Sequence, residues 1–163
     1  MPTIGIATNI LAPAGSKTVQ YVGPRPGRIF KLIPDMIKTT MGISSGSFWE
    51  DEIRWDASSN PVSFYGLWRG KKGLDALTKL WFEVEVRGTQ DSKTKDGDIS
   101  LKLKGKIETK VGYKTIIDKG LILVYQRMFY KNQRLNYIEE ANRKIQILED
   151  MIREEFNLMR KEQ

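Results

Sequence analysis

The sequence predicts an α+β fold: a curved antiparallel β-meander with a long C-terminal helix. Two observations carry this. Between residues 77 and 111, the runs LTKLWFEVEVRG and DISLKLKGKIETKV alternate apolar and polar residues, the period-two pattern of half-buried strands. From about Leu121 the apolar residues switch to spacings of three and four and hold them to Met159, the pattern of a helix with one covered face.

The elements follow in order. Residues 1–16 hold Pro2, Pro13 and small breakers, so an irregular N-terminal arm is expected, with one α+β domain over 17–163. KTVQYV, 17–22, is a short β-type run, and GPRPG punctuates it. In RIFKLIPDMIKTTMG, residues Ile29, Phe30, Ile33, Ile37 and Met41 have helical spacing, closed by Gly42. Pro34 either kinks this helix or opens a new one in its first turn. FWEDEIRWD, 48–56, reads as a strand with Trp49, Asp51, Ile53 and Trp55 on one face. SSNP is a turn, VSFYGLWRG, 62–70, the next strand, and KKGLD its turn. TQDSKTKDG is a polar loop, and YKTII, 113–117, reads as one more strand. The helical region, about 121–160, is either one helix or two broken near Asn132.

Lys102, Lys104, Lys106 and Lys110 form a row on the last long strand. Apolar must face apolar, which sets the parity of the hairpin. With its loop centred near residue 92, Val84 opposes Leu101 and Phe82 opposes Leu103. Glu83 then meets Lys102, Trp81 meets Lys104 and Arg87 meets Asp98. Each cation is offered a carboxylate or an aromatic face, contacts of roughly 0.2–1 kcal/mol each. That is a solvated face with mixed charge rather than a nucleic-acid stripe, which needs uncompensated cations and stacking rings.

The formal charge of +7 favours acidic partners, nucleic acid among them. The absence of Cys excludes disulfides, thiol nucleophiles and cysteine-bound metals. The absence of His removes the commonest general base and metal ligand. No cofactor, metal or catalytic motif is expected. The N-terminus lacks a basic n-region, and GLILVYQRMFY is too short to span a bilayer, so a cytoplasmic protein is expected.

In element order the chain resembles the START-like, or SRPBCC, superfamily of helix-grip proteins. KTVQYVGPRPGRIFKLI matches the first strand and helix, residues 48–117 the meander, and 121–160 the gripping helix. The resemblance implies a sheet wrapped around the last helix, with a cavity between them. It transfers no individual functional residue.

Candidate sites follow. Trp49, Asp51, Trp55, Tyr65 and Trp68 come from adjacent strands and are candidate pocket residues. Asp51 either faces an apolar interior, where its pKa would rise and it could hold a cation or work as an acid or base, or a bulge turns it to water. Successive strand residues Glu50, Asp51 and Glu52 cannot share one metal ion. Arg25, Arg28, Arg69, Lys71 and Lys72, with Lys31, are anion-binding candidates if the fold gathers them. GPRPGR lacks the ending of a P-loop. The stripe Ile138 to Met159 serves either the core or a homodimer seam. The expected function is non-catalytic binding of an apolar or amphipathic small molecule. The alternatives are a basic adaptor on nucleic acid or ribonucleoprotein, and a homo-oligomeric assembly protein using its C-terminal helices.

Overall fold

The structure, a computed structural model, describes residues 1–156. Six antiparallel strands are β1 (Thr3–Asn9), β2 (Lys17–Pro24), β3 (Phe48–Asp56), β4 (Val62–Gly73), β5 (Thr78–Gln90) and β6 (Asp96–Gly112). The helices are α1 (Ile29–Met41), α2 (Ile116–Met128) and α3 (Lys131–Glu155). The sheet order is β1-β6-β5-β4-β3. β2 also pairs with β6, so β1 and β2 lie end to end along the edge of this 17-residue strand. The α+β class is as expected, an open curved antiparallel sheet with a long C-terminal helix.

The core lies between the inner face of the sheet and two helices. Phe64 and Trp68 of β4, Leu80 to Val86 of β5, and Ile99 to Ile107 of β6 alternate inward as their period requires. α1 covers them with Ile29, Ile33, Ile37 and Met41, and α3 with Ala141, Ile145, Leu148 and Ile152. α1 is one helix with Pro34 inside it, ended by Gly42 in the left-handed region (φ 63°).

Four expectations are corrected and one left open is decided. The supposed irregular arm contains β1: TIGIATN alternates, and the long edge of β6 gives it a template. The β5–β6 register is two residues further on, Val84 opposing Leu103 and Glu83 opposing Lys104. The parity, and so each face, is as read. Asp91 causes the offset: its carboxylate accepts from the N–H groups of Lys93 and Thr94, closing a turn that ends at Lys95 in the left-handed region. β4 runs through Lys71 and Lys72 to Gly73, so the turn lies beyond them, where Asp75 accepts from Leu77 and Thr78. YKTII is not a strand. Thr115 and Asp118 form a capping box that starts α2 at Ile116, and this local pairing outweighs the β-branched residues. Of the two readings left open for the C-terminal region, the described residues show two helices, broken at Phe129 and Tyr130, close to Asn132.

The stripe from Ala141 to Phe156 is buried in the chain's own core, which answers the seam question for those residues. Residues 157–160 of the expected helical region, Met159 included, lie outside the described residues.

Candidate functional site

The five pocket candidates divide between the two faces of the sheet. β3 and β4 pair Trp49 with Arg69 and Glu50 with Trp68, then shift register, so that Glu52 meets Leu67 and Trp55 meets Phe64. Asp51 is the extra residue of this bulge, which reverses the facing of everything after it. Trp49, Asp51 and Tyr65 therefore lie on the outer face, Trp55 and Trp68 on the inner. Asp51 does not point into an apolar interior. It pairs with Arg69 at 2.5 Å, at the surface. Glu50 accepts from Trp68 Nε1 at 3.3 Å and Glu52 pairs with Arg54 at 2.7 Å, so the acidic trio is engaged in three separate places. Trp68 is fully buried, and Trp55 stacks on Phe64 at the rim.

The anion candidates are not gathered either. Arg25 donates its N–H to Lys95 O at the β5–β6 loop. Arg28 pairs with Glu155 at 3.2 Å and lies over the Phe156 ring. Arg69 and Lys71 are on the outer face. Lys72, near the opposite end of β5, faces inward, and its neighbour Lys144 holds its ammonium below the usual lysine range.

The outer face is a ladder of matched groups. Lys71 sits 5.4 Å from the Trp49 ring and 5.9 Å from Trp81, and Lys106 6.0 Å from Trp81. Arg54 and Arg87 flank Tyr65 at 4.9 and 5.3 Å and pair with Glu52 and Glu85. Lys104 pairs with Glu83 and Lys110 with Glu108, each at 3.3 Å. An open groove of about 590 Å³ runs past Tyr65, Thr89 and Asp98. Its arginines are already neutralised.

A polar chain links the β4–β5 turn to the corner between α2 and α3. The Asp75 carboxylate accepts from the hydroxyls of Tyr130 and, at 3.0 Å, Tyr137. Tyr130 shares a hydrogen bond with Thr78 at 2.6 Å, and Thr78 one with Thr109 at 3.0 Å. Arg134, buried, donates to Thr109, Thr8 and the Ile6 carbonyl. Burial, then the Asp75 carboxylate, push the Tyr130 hydroxyl up to about 12. Burial pushes Asp75 up, but the hydrogen bonds from Tyr130, Leu77, Tyr137 and Thr78 together leave it below the usual range.

The signs oppose. Tyr130's contribution to stability is complete below the unfolded value near 10 and is lost as pH rises through about 12; Asp75's is present above about pH 4 and fades as pH falls. Tyr130→Phe is therefore expected to lessen the fall in the urea midpoint between pH 10 and 12. An unchanged alkaline slope would remove Tyr130 from that loss.

This chain fastens the corner, and α2 extends from it with its apolar side outward. Ile116 (87% exposed), Ile117 (75%), Leu121, Val124, Met128 and Phe129 all face solvent. The inward side carries Asp118, Ile122 and Gln126. Gln126 is buried with neither side-chain polar atom hydrogen-bonded. Open grooves lie on both flanks, one beside Leu77, Tyr125 and Phe129, the other beside Tyr113 and Leu121. Among the described residues no helix is long and apolar enough to cross a membrane.

No family model matches this chain. No curated protein matches it either. Among solved structures it is similar to a protein of unknown function from Staphylococcus aureus, at 6% identity and TM-score 0.30 over 93% of this chain and 98% of that one. It is also similar to Ara h 8.0201, at 12% identity and TM-score 0.20 over 78% and 95%. A third is an uncharacterized protein from Rhizobium leguminosarum, at 8% identity and TM-score 0.19 over 92% and 99%. Scores this low carry no functional argument.

Sequence reasoning placed Leu121, Val124 and Met128 on one helical stripe with Ala141 and Ile145, as if all were covered together. The signal that separates them was present: Phe129 and Tyr130 interrupt the helix, and GLILVY is apolar on nearly every side. The Asp75–Tyr130 link joins residues 55 apart in the chain and left no local trace.

Proposed function

We propose that this chain is an assembly or adaptor domain whose docking element is α2. One observation carries the reading: an apolar helix turns its apolar side to water and its glutamine inward. An isolated exposed leucine is ordinary, but a continuous apolar patch of this kind marks an interaction surface. The sheet with α1 and α3 is then a rigid scaffold, and the network through Asp75, Tyr130 and Arg134 holds the docking helix at its end.

The element order also supports kinship with helix-grip domains. Binding of an apolar ligand between sheet and helix has less support, because Ala141, Ile145, Leu148 and Ile152 occupy that space.

The test is the variant L121E/V124E, studied at dilution where the chain is monomeric. Both side chains are exposed, at 65% and 53%, so the unfolding free energy is expected to change by no more than about 0.5 kcal/mol. Binding of an apolar dye to the native protein should fall. Destabilisation by about 2 kcal/mol or more would mean that α2 is packed on its own domain, and would overturn the reading.

A further inference from the structure

The geometry points to a second copy of this chain as the partner of α2, paired antiparallel about a two-fold axis near residues 122 and 123. This inference rests on the docking role proposed for α2.

Ile117, Leu121, Val124 and Met128 are 75%, 65%, 53% and 69% exposed along one side of α2, a continuous apolar stripe of the kind that marks an interaction surface.

The stripe is also self-complementary. Ile117, Leu121, Val124 and Met128 are spaced four, three and four, the same in both directions along the chain. A two-fold interface requires a surface that matches itself. Turning the helix end over end sets Ile117 on the partner copy's Met128-equivalent position and Leu121 on its Val124-equivalent position.

Gly120 flanks the stripe. It is the least favourable residue but proline for a helix interior. Nothing lies within 4 Å of where its side chain would be, so the monomer does not require it. A helix crossing closely at this point would.

Charge sets the direction. Asp118 stands in the first turn and Arg127 in the last. An antiparallel pair opposes the helix dipoles and keeps the two Arg127 residues apart, whereas a parallel pair aligns like ends. Charge also favours protein over lipid as the occupant. A helix lying on an anionic membrane carries a row of Lys and Arg on its polar side. The other side of α2 offers a single lysine, Lys119, among Asp118, Ile122 and Gln126.

The chain has no cysteine, so introduced thiols report cleanly. Full-length I117C and M128C are oxidised separately and as an equal mixture, and non-reducing gels are read beside sedimentation of the wild type. A wild-type dimer, with a disulfide dimer several-fold more abundant in the mixture than in either variant alone, is the expected result. Self-linkage of I117C as strong as in the mixture would overturn the antiparallel arrangement. A wild type that stays monomeric would overturn the second copy as partner. If that monomer also floated with phosphatidylserine vesicles, the occupant would be lipid and the docking role of α2 would survive. A dimer that persists in L121E/V124E would place the interface elsewhere.

Discussion

Replacing Trp68 with alanine is expected to destabilise the protein by about 3–5 kcal/mol, the loss found when a large buried aromatic is truncated and its site cannot close. Trp68 is fully buried at the centre of β4. Its surroundings are shaped to it. Gly66 precedes it on the same face, and any side chain there would run into the indole ring. Phe30 of α1 meets that ring edge-on at a centroid distance of 5.3 Å. The Nε1–H donates to Glu50 at 3.3 Å, so the variant also leaves that carboxylate without its indole donor. The helix on one side and the strand backbone on the other limit collapse. Urea unfolding would show a lower midpoint at unchanged slope. A loss below about 1 kcal/mol would mean that Trp68 lines adaptable space, and would return it to the pocket candidates.

Arg134→Ala is expected to cost about 3 kcal/mol. The guanidinium is the common donor for Thr8, Thr109 and the Ile6 carbonyl, at 2.7, 2.9 and 3.3 Å. Removing it takes the guanidinium from the part-buried acceptors of β1, at about 1–3 kcal/mol for each group left unsatisfied, leaves Thr109 with Thr78 alone, and also removes the packing of its aliphatic stem. No carboxylate is paired with Arg134 among the described residues, so loss of an ion pair is not the cause. Arg134→Lys keeps the charge but not the fork of donors and should recover only part of the loss. Hydrogen exchange should locate the effect in β1, which Arg134 ties to α3. Unaltered β1 protection in Arg134→Ala would show that the bonds to Ile6 and Thr8 contribute nothing there.

Both residues show how far a local reading reaches. Trp68 was visible as an aromatic on a strand, but its facing partner was not. The bulge at Asp51 reverses β3 against β4, and nothing in EDE distinguishes a bulged strand from a regular one. Asp51 had two readings for that reason, and the pairing with Arg69 decided between them. Arg134 was not recognised at all. An arginine in an otherwise polar helical stretch reads as solvated, and two of its three acceptors lie more than 100 residues away in β1. The lysine row was legible because Glu83, Glu85 and Trp81 stand on the neighbouring strand in the right parity, even with the register displaced by two.

The sequence by itself determined the α+β class, the inward and outward residues of β5 and β6, and the buried faces of α1 and α3. Each follows from a period, and a period is a property of the local chain that holds whatever the partner is. Only the tertiary structure decided that residues 3–9 join the sheet, that Asp51 faces water, and that the apolar side of α2 is left uncovered. These depend on contacts between distant segments: the free edge of β6, the bulged pairing of β3 with β4, and the hydrogen bonds of Asp75 and Tyr130 that hold the helical corner. Apolar periodicity says which side of a helix should be covered. Where the helix is fastened determines whether the chain itself covers it.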